Sequence, residues 1–568
     1  MKIKWLWFSM LAAAGVVLVA GGLLVPAYLR AVDASVIQRA GWKGPTLLER
    51  GRTLAEERQL GAALMMAEAA RLAGISGWDR LGETITNLER QSPGAVAWGA
   101  DTQLENLFAN APNASVPFTA FIIRPENRER ALAHLRDLPL PDVQSVLRCR
   151  QLKNTVLFPP SASAAGQALD AAVAECGLLL EDGNLTAGLS DSIAALATAA
   201  NRGRGSAPLE QVLMDLMSLG ERFDWNQLTA FVAPIPDAGT LHQLAEQARG
   251  ASEQLPVLFA AVQLSGQPTA VAHYLVQFKQ TGRADLAASL KSGAGGVNEL
   301  LHSDRRIYRP DLARRVMAVK PLGDLRRFAA DYSFQQPWLA LAAKWLAYLL
   351  GGFFLAAAAH AARPAVSPLE QPLRVRGFHL FREFLFSLGF LFVVLLLSEP
   401  FLAQENQKGN FPFQLHLPTV GGAATGGIAN LTPIVMNPII LLTLLLFFVL
   451  QSLIYLACLL KLAEIRRQAV PPRMKLKLLE NEDHLFDAGL YLGFVGTIVS
   501  LIIASLGLVK FSLMAAYSST SFGIIFVCIF KIFHLRPARR KLLLEADAAD
   551  AYAAVAPGTA ALPQPLPS

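Results

Sequence analysis

Apolar residues are not spread evenly along this chain; they gather into long runs at its two ends. Trp5 to Leu29 carries no charge and is long enough to cross roughly 30 Å of hydrocarbon. Four more runs follow residue 337: Trp338–Ala361, Phe384–Ala403, Pro438–Leu462 and Ala488–Phe533. The last is too long for one helix. Gly507 and Lys510 at its centre read as a tight turn, which splits it into Ala488–Leu508 and Phe511–Phe533. Six membrane spans are therefore predicted. The first reads as an uncleaved signal anchor. The apolar region of a cleaved signal peptide is about 7–15 residues long, whereas this one continues through Leu23, Leu24 and Val25.

Between the runs the pattern changes to that of a soluble domain, with Arg, Glu, Asp and Gln recurring among apolar positions. Leu47 to Gly74 reads as two short helices flanking a turn near Gln59-Leu60-Gly61, with Ala62, Ala63, Ala67, Ala69 and Ala70 allowing close packing. Val271 to Leu290 repeats the design, with Thr281-Gly282 as its turn. Both segments resemble tetratricopeptide-type helical hairpins, although no regular 34-residue period connects them. Phe118–Ile123 and Leu255–Leu264 are short apolar runs that fit either a strand or a buried helix. Pro/Gly breaks near 92–94, 159–160 and 232–239 subdivide the region. The expected fold class is mainly α: a polytopic membrane protein with a large, mostly helical extracytoplasmic domain. Its parts are an anchor (1–30), the helical domain (31–336), a five-helix bundle (337–535) and a tail (536–568) whose Ala- and Pro-rich sequence after Ala546 reads as disordered.

Charge sets the expected orientation. Of the 568 residues, 53% are hydrophobic and only 17% charged, against about 25% in ordinary soluble chains. The formal charge is +7. The surplus cations flank the apolar runs, where they set topology, and no basic stripe with interleaved aromatics marks a nucleic-acid surface. Lys2 and Lys4 precede the first span. Arg363, Arg374, Arg376 and Arg382 follow the second, Lys461, Arg466, Arg467, Arg473, Lys475 and Lys477 follow the fourth, and Arg536, Arg539, Arg540 and Lys541 follow the sixth. The loop 404–436 holds a single Lys, Lys408. This arrangement predicts both termini in the cytoplasm and residues 30–336 outside it, in the pattern of a bacterial inner-membrane protein.

The chemistry of enzymes is missing. No phosphate-binding loop, nucleophile elbow or paired carboxylates in an apolar cleft occur, and Gly421–Gly427 lies in an outer loop without strand or helix context. The nine His and four Cys show no zinc spacing, so no metal and no cofactor is expected. Cys458 and Cys528 lie within apolar spans, where Cys acts as a small hydrophobe. Cys149 and Cys176 fall in the domain expected outside, where a disulfide between them would persist; two buried free thiols are the alternative.

The last two spans carry small and hydroxyl residues at helical spacing. Gly489, Gly493, Gly496, Thr497, Ser500 and Ala504 share one side of the fifth. Ala516, Ser519, Thr520, Gly523 and Val527 share one side of the sixth. Small residues let membrane helices approach, and hydroxyls bond across them. Thr497 and Thr520 each lie nine residues into their spans, about 14 Å deep at the helical rise. The spans run antiparallel, so both hydroxyls fall near the bilayer midplane. Gly493-Phe494-Val495-Gly496-Thr497 on an outward helix and Ser519-Thr520-Ser521-Phe522-Gly523 on the returning one resemble the MotA–TolQ–ExbB proton-channel family. In that resemblance 438–462 corresponds to the family's first helix, and Thr497 and Thr520 to its pore-facing hydroxyls. The resemblance implies a homo-oligomeric ring around a single-span partner that supplies an Asp. This chain departs from the family pattern in the short segment between the fourth and fifth spans, the short turn at 508–510, and Ser500 in place of a second glycine.

Ionisable residues near the spans are few. Lys344 and Glu399 sit near outer ends, Lys531 near an inner end, and Lys344 is expected to snorkel outward. Glu480, Glu482, Asp483, His484 and Asp487 precede the fifth span, either as a cation-gathering mouth or as an acidic helix start. Two functions fit this sequence: a channel- or stator-like subunit coupled to the outer domain, or a non-conducting scaffold whose outer helices bind partners.

Overall fold

A computed structural model describes residues 2–109, 116–161, 163, 166–250, 252–309, 320–362, 378–401, 438–505 and 513–555. About 80% of the described residues are helical, with almost no strand among them. It divides into two compact units, one of Met1–Leu23 with Ala342–Ser568 and the other of Leu24–Leu341.

Among the described residues, six apolar helices lie wholly or mostly in the first unit: α1 (Lys2–Leu24), α2 (Pro337–Ala362, whose first five residues belong to the second unit), α3 (Phe378–Ser398), α4 (Pro438–Arg467), α5 (Ala488–Ser505) and α6 (Leu513–Phe530). Among the described residues, four stretches are long and apolar enough to cross a membrane: Trp5–Leu24, Pro337–Ala361, Phe447–Arg467 and Tyr517–Ala548. Shorter apolar helical stretches among the described residues are Phe386–Leu395 in α3 and Ala488–Val499 in α5. The expected turn at 508–510, the segment 404–436 with Gly421–Gly427, expected as an outer loop, and Arg363, Arg374 and Arg376 lie outside the described residues.

Glycine sets the crossing of α1 and α2. A Cβ on Gly15 would stand 3.0 Å from the Gly351 carbonyl oxygen, and one on Gly351 would stand 3.1 Å from that of Gly15. Small residues bring two membrane helices into backbone contact in this way. Further along, Tyr348 covers Gly22 and Phe390 of α3 covers Gly352. Ser387 of α3 donates to the Leu349 carbonyl of α2. Lys344 does not snorkel: it is only 1% exposed, turned into the packed side of α2.

The chain after α6 is also ordered differently from expectation. A π-turn over Lys531–Leu535 leads into a helix, α7 (Arg536–Val555), where a disordered tail is expected. Leu535, Ala538, Leu542 and Ala546 are all buried, at the i, i+3, i+7, i+11 spacing of one helical face. That stripe packs on Leu479 of the Pro472–Asn481 helix, and Arg539 binds Asp483 at 3.0 Å. Residues 556–568 lie outside the described residues.

The second unit is a helical body with one small parallel strand pair, β1 (Ala31–Asp33) and β2 (Arg306–Tyr308). The pair joins the beginning and end of the unit, Val32 opposite Ile307. Asp33 then caps the next helix by accepting from Ser35 N at 2.8 Å. The predicted hairpin is present as Leu47–Glu56 and Leu60–Ala73, its first helix started by a Thr46–Glu49 capping box. The second expected turn lies elsewhere. Pro268–Leu290 bends at Lys279, whose φ of 49° breaks the helix, rather than at Thr281-Gly282. Gly282 is buried inside the following helix against Tyr274 and Phe278, and there its missing side chain makes room. Both ambiguous apolar runs are helical, Phe118–Ile122 and Leu255–Ser265. The latter is almost wholly buried and packs against Leu60–Ala73, Pro268–Leu290 and Gly293–Ser303.

Buried polar side chains fix how these helices meet. Glu210 accepts from three consecutive backbone N–H groups, those of Val156 (2.9 Å), Leu157 (2.5 Å) and Phe158 (3.1 Å); despite burial, the Ser206 hydroxyl and these three groups hold its carboxyl below the usual range. Asn226 Oδ1 accepts from Ala62 N at 2.8 Å. Asp215 is bound by Arg249 and by His242 Nδ1 at 2.8 Å. The expected Cys149–Cys176 disulfide is not formed; both are buried free thiols. Cys149 Sγ faces the carbonyl of Ser145 (3.3 Å) and, across the interface, Asn201 Oδ1 (3.5 Å), so it is directed at the Ala187–Asn201 helix. Burial pushes the Cys149 thiol up to about 11 and raises that of Cys176 further.

Candidate functional site

The seam between α4, α5 and α6 gathers the residues that the sequence singles out. Gly489 of α5 faces Val527 of α6, and Gly493 faces Ser519 and Thr520, so the two helices are antiparallel. Two glycines allow the approach. A Cβ on Gly493 would lie 2.8 Å from the Ser519 carbonyl oxygen, and one on Gly523 would lie 2.6 Å from that of Gly489. Gly496 lies directly over the Ser519 hydroxyl. The stripes are therefore a backbone-to-backbone contact, closer than any side chain larger than hydrogen allows.

At the level expected from the depth arithmetic, Thr497 Oγ1 and Thr520 Oγ1 are 2.6 Å apart. Thr497 also lies 3.1 Å, and Thr520 3.2 Å, from the Gly493 carbonyl. Each hydroxyl has one proton. Thr520 donating to Thr497, and Thr497 to its own i−4 carbonyl, satisfies both within one chain. Ser519 is different. It is 1% exposed, and its Oγ meets no hydrogen-bond partner among the described residues. The Ser500 side chain lies outside the described residues.

One participant has no place in the sequence argument. Gln451, on α4, is 1% exposed and donates from Nε2 to the Gly489 carbonyl at 2.9 Å. Its Oε1 accepts nothing among the described residues, and it stands 2.9 Å from where a Gly489 Cβ would be. The available signal was its isolation, a lone amide in the run Leu444-Leu445-Leu446-Phe447-Phe448-Val449-Leu450-Gln451. A polar side chain amid such apolar neighbours is a packing or functional candidate by default.

Below this polar layer the seam becomes aromatic and then ionic. Phe448, Tyr455, Phe526 and Phe530 stack edge to face, and Tyr455 Oη bonds His534 Nε2 at 2.8 Å. The acidic cluster before α5 is met by bases. Asp487 binds Lys531 at 2.7 Å, Asp483 binds Arg539 at 3.0 Å, and Glu482 lies 3.5 Å from Lys461. Three of its four carboxylates thus tie α4, the π-turn after α6 and α7 together, as a helix start pinned to its neighbours. Away from the seam, α5 and α6 expose Phe494, Val495, Ile498, Ile502, Ile524 and Ile525, an apolar surface of the kind that lipid or another protein covers.

No group of three or more His, Cys, Asp or Glu side chains able to hold a metal occurs among the described residues. In comparisons with known proteins, no family model, curated protein or solved structure matches the chain.

Proposed function

We propose that this protein is a non-conducting membrane scaffold. Its apolar helices anchor and rigidify it, and its helical domain, residues 31–336, lies outside the cytoplasm and binds protein partners. The termini lie in the cytoplasm, as the basic loops indicate. The Thr497–Thr520 bond carries this reading. The two hydroxyls that a pore would need satisfy each other and the Gly493 carbonyl inside a single chain, so they act as packing groups. The ionic ties at the foot of α5 act in the same direction, because they spend on neighbouring helices the acids that a cation mouth would present.

A second reading, a channel- or stator-like subunit similar to the MotA–TolQ–ExbB family, is favoured by Ser519 Oγ and Gln451 Oε1. Both are buried without a partner among the described residues, and a neighbouring copy or a single-span partner carrying an Asp would supply one. The mass of the purified protein in detergent or nanodiscs decides between the readings. A monomer or dimer supports the scaffold, and a pentameric ring overturns it in favour of the channel.

A further inference from the structure

The second unit holds a cavity of about 230 Å³ beside the β1–β2 pair, lined by polar and apolar side chains alike. Its lining begins at Pro26, two residues after α1 ends, and finishes at Pro337, Trp338 and Leu341 in the opening turns of α2. Where α1 and α2 cross a membrane, a cavity built from the residues that join them lies at the bilayer surface. The inference rests on that part of the reading above. Trp338 is 68% exposed at the cavity's edge, and tryptophan concentrates at the headgroup level.

The lining carries both signs of charge. Glu299 and Arg305 both contribute, and Arg305 is anchored by donating to the Tyr28 carbonyl at 3.2 Å. Burial raises the Glu299 carboxyl above its usual range, and the nearby His302 and Lys43 offset this only in part. Deeper in, Ser333 is 4% exposed, and its hydroxyl meets no hydrogen-bond partner among the described residues. A buried polar atom of this kind costs free energy unless something binds it.

We propose that this cavity takes the zwitterionic headgroup of a membrane phospholipid bearing a primary amine, a phosphoethanolamine group. An ammonium with N–H donors satisfies both Glu299 and the Ser333 hydroxyl, and the phosphate faces Arg305. A purely anionic headgroup meets Glu299 with like charge. A quaternary ammonium has no proton to give Ser333. The volume suits a headgroup and not a whole lipid, so the acyl chains remain in the bilayer beside Trp338.

The test uses the full chain, delipidated in detergent and titrated with short-chain phosphatidylethanolamine, phosphatidylglycerol or phosphatidylcholine while bound lipid is counted by native mass spectrometry. One phosphatidylethanolamine should be retained per chain, at least tenfold more tightly than either other lipid. Ser333→Leu, which fills the cavity, and the near-isosteric Glu299→Gln should each remove that preference. Equal retention of all three lipids, or a preference unchanged in both variants, overturns the proposal. Saturation by free O-phosphoethanolamine at the same concentration assigns the cavity to a soluble ligand and overturns the lipid assignment. Carbonate washing of membranes separates the two levels of failure. A chain that resists extraction yet shows no preference loses this site alone, whereas a chain that washes off loses the membrane reading as well.

Discussion

Thr497 and Thr520 share a 2.6 Å hydrogen bond across two helices whose backbones touch at Gly493. The hydroxyls and the glycine contribute differently to that contact, and substitution separates them. Thr497→Val keeps the shape and removes one interhelical bond, a loss averaging about 0.6 kcal/mol in membranes. Gly493→Val drives new atoms into the Ser519 carbonyl, an overpacking cost of about 1–3 kcal/mol. Unfolding in mixed micelles should therefore rank Gly493→Val well below Thr497→Val. The reverse order would mean that the hydroxyl pair, and not the glycine contact, holds the seam.

Glu175 is fully buried in the second unit, and its carboxyl is pushed up to about 8, chiefly by desolvation. Thr119 Oγ1 lies 3.0 Å from Glu175 Oε2 and 2.9 Å from the Met217 carbonyl. Its single proton serves Met217 when Glu175 is protonated and donates in turn. In the unfolded chain Glu175 ionises near its ordinary value of 4.5. Between pH 4.5 and about 8 the folded state therefore binds the extra proton, and this residue's contribution to stability falls as pH rises, by about 1.4 kcal/mol per unit. Glu175→Gln retains a donor without the charge. Thermal unfolding should find the variant more stable than the parent at pH 7.5, with the difference shrinking toward pH 4.5. A gap independent of pH would show that Glu175 is already ionised in the fold.

The two cysteines of the second unit give a direct chemical count. With Cys149 and Cys176 free, denatured protein without reductant should titrate all four thiols of the chain. In the native state Cys149, raised to about 11 by burial, should resist alkylation at pH 7.5. A count of two thiols in denaturant would restore the disulfide.

Asp33 and Arg326 form a buried pair at 2.7 Å, both side chains 3% exposed. Arg326→Met strands the Asp33 carboxylate, and losing one member of such a pair costs about 3–5 kcal/mol. Adding Asp33→Asn removes the stranded charge, and denaturant unfolding should show the double variant recovering part of the loss. Additive losses in the double variant would show that the two residues do not act as a pair.

The sequence by itself determined the helical character of this protein, the positions of its apolar helices, and the stripes of Gly493, Gly496, Thr497, Ser519, Thr520 and Gly523 that meet in the seam. These follow from local periodicity and from the absence of charge over about twenty residues, which short-range chemistry dictates without reference to the rest of the chain. The tertiary structure alone decided which groups answer those residues. Gln451 is far from Gly489 in sequence and reaches its carbonyl only once α4 lies against α5. Lys531 and Arg539 neutralise acids that, read along the chain, form an open cluster. Cys149 meets the Ala197 carbonyl and Asn201 because the Ala187–Asn201 helix packs against it. The segment after Arg536 is helical because Leu535, Ala538, Leu542 and Ala546 find a partner face around Leu479. A side chain's partner depends on contacts between segments distant in sequence, and neither periodicity nor composition carries that information.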